Sequence, residues 1–500
     1  MTTPSELAHE ADIAQWFGAK AERVIETSCA RVFLLGDSAW KVKRPVDFGF
    51  LNYSTLELRR WALERELTFN RAAASDIYRQ VTPIVRLADG SLALGGEGEV
   101  VEHALEMRRF DEHAVLSAQP WAIDDQVEES LGRTIAAFHL SSDLRPKGGG
   151  VDALGYTIRS NASLLTGLGP RLGQSAVARL VAETDRAFAA QGDLLNARAG
   201  QGFARHCHGD LHLGNILLED GRPILFDCIE FNDVLSDIDV QYDLAFLLMD
   251  LDFRRRRDAA NRVMNAYLDE AARSFGDALF SGLSALPLML SVRAAVRCHV
   301  QAYSDDDEAA RAYLATALAH LEPKRTGLVA VGGLSGSGKS TFARAAAPGL
   351  GVAPGAVVLR SDELRKRLWG AAPLQKLPPE AYTQEFGAKV YARLFEEAAL
   401  LLATGSSVVL DAVFLRPEER QQAADLAMRA GVPFQGVWLQ APAELLRQRV
   451  DARTGDASDA DVRVLEAQLT RDPGVLDAWK RIQSDAAFEG EAKALAEMLR

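Results

Sequence analysis

No run of about 18 apolar residues free of charge occurs anywhere in the 500 residues, so no membrane-spanning helix is expected. Cysteine is scarce: Cys29, Cys207, Cys228 and Cys298, with no C-x-x-C pair. That spacing fits neither a disulfide framework nor a zinc site, and reduced thiols are expected. Positive charge is in deficit, with 56 Lys and Arg against 69 Asp and Glu, a formal net charge of −13. Such a balance argues against nucleic acid and anionic membrane as partners, while leaving room for a local basic cleft around a phosphorylated ligand. The first ten residues lack the basic-then-apolar layout of a signal peptide, and the expected compartment is the cytoplasm. Internal repeats and low-complexity tracts are missing too.

The length calls for two or three domains. A helical stretch at 7–17 precedes strand-like runs at 24–35 and 39–42, with Gly36-Asp37-Ser38 as their turn. A helix at 56–73 and strands at 81–85, 92–94 and 100–109 follow. From 126 the pattern is mostly helical, with Gly148-Gly149-Gly150 read as a flexible loop. A loop and hairpin at 206–231, turning at Gly221-Arg222-Pro223, interrupt it. The polar break at 322–327 marks a boundary between domains 1–322 and 323–500. Beyond it, apolar runs at 328–331, 357–359, 408–410 and 437–439 alternate with helical stretches, which predicts a parallel α/β sheet.

The most specific motif lies there: Gly333-Leu334-Ser335-Gly336-Ser337-Gly338-Lys339-Ser340-Thr341 matches G-x-x-x-x-G-K-[ST], the Walker A P-loop. Glycines let the backbone wrap a phosphate with its N–H groups turned inward. Lys339 is placed for the β- and γ-phosphates of ATP, Ser340 for Mg²⁺, and the helix from Thr341 aims its positive end at the anion. Asp411, ending the run at 408–410, is a candidate Mg²⁺ support or a helix cap. Asp362, just past 357–359, is a candidate catalytic base or an N-cap. Arg447, Arg449 and Arg453 fit either a phosphoryl clamp or a solvated helix face. This half resembles the small P-loop kinases that include gluconate kinase, chloramphenicol phosphotransferase and the kinase part of polynucleotide kinases. The resemblance implies that Asp362 is the base, that arginines of the 447–453 region form a lid, and that Gly455 to Ala460 belongs to the same pattern.

A second constellation sits upstream. In His208-Gly209-Asp210-Leu211-His212-Leu213-Gly214-Asn215, an Asp and an Asn stand five residues apart, as in a kinase catalytic loop. There the Asp takes the acceptor's proton and the Asn holds Mg²⁺. Asp227 ends the apolar run 223–226, where a second metal-holding Asp belongs. A kinase also pairs a strand lysine with a helix glutamate: Lys41 with Glu66. Lys43 shares the strand face of Lys41 and Glu64 competes with Glu66, so the pairing stays open. No G-x-G-x-x-G loop is present, and covering the nucleotide falls to the hairpin 31–39. His206, His208 and His212 read as local structure, His208 bracing the loop; Arg254 to Arg257 reads as a solvated helix segment, and Arg108 and Arg109 as strand decoration.

These residues resemble the aminoglycoside phosphotransferase family over about 24–321. The whole chain resembles a bacterial two-domain family that joins such a domain to a P-loop kinase domain. Lys43 to Phe50, Phe226 to Phe231 and Asp243 to Asp250 add to that likeness. The resemblance implies an α+β, protein kinase-like first domain, an α/β P-loop second domain, and ATP-dependent phosphoryl transfer to hydroxyl groups of small molecules. Two other readings stand beside it: one domain senses nucleotide for the other, or the P-loop half phosphorylates polynucleotide 5′-hydroxyls. No motif specifies the acceptor or an oligomeric state.

Overall fold

The computed structural model describes residues 4–49, 51–453, 455–484 and 488–498; Phe50, the end of one stretch quoted above, lies outside them. By packing, the chain forms two compact units. The first comprises Met1–Val127, Ser141–Thr157 and Asn196–Leu247, the second Glu128–Leu140, Ile158–Leu195 and Leu248–Arg500.

The first unit is built on a six-stranded antiparallel sheet: β1 (Arg23–Glu26), β2 (Ala30–Leu35), β3 (Ser38–Lys43), β4 (Tyr78–Arg86), β5 (Leu92–Leu94) and β6 (Glu99–Arg108), in the order β1-β2-β3-β6-β4-β5. The run expected at 24–35 is two strands, because Thr27 Oγ1 accepts the Ala30 N–H at 2.9 Å and turns the chain back. The helix Leu56–Arg71, N-capped by Thr55, buries Ala62, Leu63, Glu66 and Asn70. Leu63 packs with Ile77, Leu105 and Leu217 in one apolar core. That core therefore fixes which helix face, and so which glutamate, turns toward the sheet.

Four short strands complete this unit: β7 (Ala204–His206), β8 (Ile216–Glu219), β9 (Arg222–Leu225) and β10 (Asp237–Asp239). The β8–β9 turn is Asp220-Gly221, at φ 49° and 72°, the left-handed pair that a tight two-residue hairpin requires. It falls one residue earlier than the sequence suggests, and Arg222 and Pro223 belong to β9. Gly148 to Gly150 is a packed corner rather than a flexible loop. The Gly149 N–H donates to Asp237 O at 2.8 Å, and a Cβ there would lie 2.8 Å from that of Ala204.

In the second unit the helices Arg257–Phe275, Leu286–Tyr303 and Asp307–Leu321 precede a five-stranded parallel sheet. Its strands are β11 (Leu328–Gly333), β12 (Val357–Arg360), β13 (Val408–Asp411), β14 (Phe434–Gln440) and β15 (Trp479–Gln483), in the order β12-β13-β11-β14-β15. Four were expected. The fifth, Trp-Lys-Arg-Ile-Gln, turns only Trp479 and Ile482 inward and shows no apolar run. Central β11 is buried throughout, and Val329, Val331, Val409, Val437 and Leu439 pack with Phe342 of the following helix. Edge strand β12 is covered by asparagines: Asn261 Nδ2 donates to Ala356 O at 2.9 Å, and the Val358 N–H donates to Asn265 Oδ1 at 2.7 Å. The basic run 254–257 is a turn between the helices Val240–Phe253 and Arg257–Phe275 rather than a helix segment; in it Arg254 pairs with Asp250 and Arg257 with both oxygens of Asp252.

All four cysteines are free thiols. Among the described residues no single helix is long and apolar enough to cross a membrane.

Two candidate phosphoryl-transfer sites

The first site grows from the loop between β7 and β8. Asp243, fully buried, accepts the backbone N–H groups of His208 and Gly209 at 3.0 and 2.8 Å. His208 is also fully buried, and burial holds its imidazole below the usual pKa. It works as a neutral brace: Nε2–H donates to Phe226 O at 2.9 Å while Nδ1 accepts the Asp210 N–H at 3.3 Å. The loop is thereby tied to the strand end that carries Asp227. Gly209, at φ 82°, has no room for a side chain, since a Cβ would sit 2.9 Å from Leu235 O. His206 is bound to Asp237 at 2.9 Å and His212 to the Gly214 N–H at 3.0 Å, so both act as local structure.

Asn215 Nδ2 donates to Asp210 at both the backbone oxygen (2.9 Å) and Oδ2 (3.0 Å), which holds the two side chains together. Asp227 stands in the left-handed region at φ 63°, a conformation Asp tolerates, its N–H on Tyr78 Oη at 3.0 Å. Lys41 joins the elements, bonding Glu66 Oε1 at 2.6 Å and Asp227 Oδ1 at 2.8 Å. The choice between lysines resolves into both: Lys43 takes the other Glu66 oxygen at 2.7 Å and Glu230 at 2.6 Å, and Tyr53 bonds Glu230 at 2.6 Å. Glu64 is paired on the surface with Arg60. Burial alone would lower the Lys41 pKa, but Asp227 and Glu66 outweigh it and hold the ammonium well above its usual value. A cavity of about 160 Å³ opens here, with Val32, Leu34, Ala39 and Met107 at its apolar side and Lys41 and Asp227 at its charged end. Three of those apolar residues belong to the hairpin 31–39. Arg108 and Arg109 line the same cavity, and each holds a carboxylate, Glu219 and Glu22.

The second site lies at the carboxyl ends of β11, β12 and β13. Gly333, Gly336 and Gly338 have φ of 142°, 80° and 86°. A Cβ on Gly333 would lie 2.5 Å from Leu439 O, and one on Gly336 2.7 Å from Leu446 O, so the loop's curvature depends on glycine. Gly333→Ala is expected to cost on the order of 1–3 kcal/mol of stability and to abolish nucleotide binding at this loop. Calorimetric melting and nucleotide titration check it, with Gly431→Ala, left-handed but in open space, as the control.

The helix Lys339–Ala346 starts directly behind the loop. Lys339 Nζ donates to Leu334 O at 2.9 Å, and burial pulls its ammonium below the usual pKa against Asp411 and Asp362. Parallel register sets Asp411 beside Val331 on one side and Arg360 on the other. Ser340 Oγ donates to Asp411 Oδ2 at 2.7 Å, and burial holds the Asp411 carboxyl above its usual pKa despite Arg360 and Lys339. An adjacent hydroxyl and carboxylate form the hard oxygen donor set that Mg²⁺ prefers. Asp362 sits in the first turn of the helix Ser361–Trp369, whose N-cap is Arg360, so it does not cap that helix. It lines a cleft of about 640 Å³ together with Lys339, Ser340, Asp411, Arg449 and Arg453. Ser335, Gly336, Gly338 and Thr341 also face it. Arg449 bonds Ser484 O at 2.6 Å and Gly336 O at 3.4 Å, whereas Arg447 is paired on the surface with Glu466.

Sequence reasoning missed a heavily bonded side chain that contacts Asp411 and Ser340 of this cleft. Arg360 is only 6% exposed and is surrounded by Glu363, Asp411 and Asp456. Its one visible signal was a charge closing an otherwise apolar strand. Asp459 lies in the stretch Gly455 to Ala460 but was given no role of its own; it accepts from Lys366 (3.1 Å), the Leu377 N–H (2.9 Å) and Tyr382 (2.6 Å), joining three segments around the cleft.

Comparison with known proteins matches residues 58–279 to the phosphotransferase enzyme family and residues 328–472 to an AAA domain family. An uncharacterised protein of Mycobacterium tuberculosis (Rv2004c) is 31% identical over 463 residues, covering 90% of this chain and 89% of that one. Adenylyl-sulfate kinase of Myxococcus xanthus is 30% identical over 148 residues, 30% of this chain and 72% of that one. Among solved structures, a choline/ethanolamine kinase family protein of Mesorhizobium loti is 15% identical, with a TM-score of 0.38, over 63% of this chain and 95% of that one. Both parts of the chain belong to kinase families, and the chain belongs to the two-domain family of the mycobacterial protein, in which an aminoglycoside phosphotransferase-like domain precedes a P-loop kinase domain.

Proposed function

We propose that this kinase has two ATP sites and transfers the γ-phosphoryl group at each to a hydroxyl of a small molecule, such as a sugar, an aminoglycoside-like or a nucleoside-like compound. The two kinase-like parts divide in sequence at 322/323, although the compact unit that carries the P-loop also includes residues 128–140, 158–195 and 248–322, and the enzyme works in the cytoplasm. What carries the reading is that each unit brings polar and charged groups suited to phosphate and metal within bonding distance of one another. In the first, Lys41 links Glu66 and Asp227 while Asn215 holds Asp210; in the second, Ser340 meets Asp411 behind the glycine loop.

In the first site the base of ATP enters the apolar side of the cavity, and Lys41, steadied by Glu66, faces the phosphates. Asn215 and Asp227 would hold Mg²⁺. Asp210 accepts the acceptor's hydroxyl proton as its oxygen attacks the γ-phosphorus; the bond to the β–γ bridging oxygen breaks, and ADP leaves. In the second site the backbone of Gly333 to Thr341 and Lys339 cradle the phosphates, Ser340 and Asp411 hold Mg²⁺, Asp362 is the base, and Arg449 and Arg453 bind the transferring group. When bound, Mg²⁺ would neutralise the developing phosphate charge at either site. The test is transfer from γ-labelled ATP to a panel of sugars, aminoglycosides and nucleosides by the full chain. A labelled product that disappears in the Asp210→Asn, Lys339→Ala double variant is expected; label reaching no member of the panel counts against small hydroxylated acceptors.

A further inference from the structure

Arg360 contacts the same two oxygens that the reading above gives to the metal. Its Nε lies 3.3 Å from Asp411 Oδ2 and its Nη2 3.1 Å from Ser340 Oγ. The rest of the guanidinium is held more tightly, Nη1 on Glu363 Oε1 at 2.7 Å and Nη2 on Asp456 Oδ1 at 2.8 Å. Three carboxylates and one hydroxyl thus converge on a single buried cation. Against the burial that would raise it, Arg360 draws the Asp456 carboxyl down to about 2. Without Arg360 these groups form a set of hard oxygen donors with excess negative charge, which suits a divalent ion even with no nucleotide bound. Arginine keeps its proton under all ordinary conditions, so this cation yields the oxygens only by moving.

We propose that Arg360 is a built-in counter-cation that keeps free divalent ions out of the P-loop cleft, so that the metal enters only with its nucleotide. The two longer contacts, to Asp411 and Ser340, are the ones surrendered. The two shorter ones, to Glu363 and Asp456, retain the side chain beside the cleft. The residue acts by position and charge and touches no reacting atom. The inference rests on the proposed metal-holding role of Ser340 and Asp411.

Binding of Mn²⁺ to the full chain without nucleotide, followed by loss of the free-ion paramagnetic resonance signal, tests it. Arg360→Met is expected to bind one more Mn²⁺ per chain than the wild type, roughly tenfold or more tighter than any residual binding there. Arg360→Lys, which keeps the charge, is expected to match the wild type, and adding Asp411→Asn to Arg360→Met is expected to remove the extra ion. If Arg360→Met fails to fold, Arg360→Gln replaces it. Unchanged Mn²⁺ stoichiometry in the neutral variant, or an extra ion in Arg360→Lys as well, overturns the inference. The parent reading fails separately: nucleotide then binds the P-loop of Lys339→Ala as it does the wild type, whatever the Mn²⁺ count.

Discussion

Asp210→Asn, made in a chain whose P-loop is silenced by Lys339→Ala, is expected to slow the remaining phosphoryl transfer by roughly 10²- to 10⁴-fold. The substitution is nearly isosteric. The loop is held by Asp243 and His208, neither of which depends on the Asp210 carboxylate, so the fold should persist. What is lost is a basic oxygen beside Asn215 at the position where an acceptor hydroxyl must shed its proton. Nucleotide affinity should hardly change, because in the proposed arrangement Lys41 faces the phosphates and Asp227 the metal, while Asp210 faces the acceptor. A rate equal to that of the parent would show that the first unit is no catalyst, and would leave it the part of a nucleotide sensor.

The second large effect concerns Lys339. Lys339→Ala, in the Asp210→Asn chain, is expected to lower transfer at the P-loop by roughly 10²- to 10³-fold, with weaker ATP binding as well. The ammonium is the compact cation within the loop, bonded to Leu334 O across the space that the glycines enclose. Arginine is not expected to rescue it. A planar fork needs several acceptors and more room than this turn provides, whereas a point charge fits among phosphate oxygens. Measuring nucleotide titration and label transfer together separates the two contributions. A variant that binds ATP and turns over at the parent rate would rule out the P-loop as the phosphate site.

Much of both sites was legible because the chemistry demands contiguous or fixed-spacing residues. The P-loop is nine successive residues, and a Cβ on any of its three glycines would collide with a neighbour's backbone or side chain. Asp210, Asn215 and Asp227 keep their order because one loop and one hairpin carry all three. Legibility ended where partners come from register and packing. Lys41 and Lys43 lie on one strand face, and only the position of the helix Leu56–Arg71 shows that Glu66 is shared, one oxygen each. Arg360 looked like an ordinary strand end. It matters because parallel pairing sets it opposite Asp411. Strand β15 was hidden for a related reason: at an edge of the sheet, two inward side chains suffice. The two compact units also draw on non-contiguous stretches, which no reading along the chain reveals.

The asparagine cover on β12 has a consequence for how this chain can be cut. Two side-chain amides from the helix Arg257–Phe275 stand in for a missing neighbour strand, one offering a donor and the other an acceptor. A recombinant fragment beginning at 323 would leave Ala356 O and the Val358 N–H as an open template for other chains, and its expected fate is sedimentation rather than a soluble enzyme. A soluble P-loop fragment therefore has to begin no later than 257, so that the polypeptide carries its own guard against self-pairing, well upstream of the polar break that looks like the natural place to divide it.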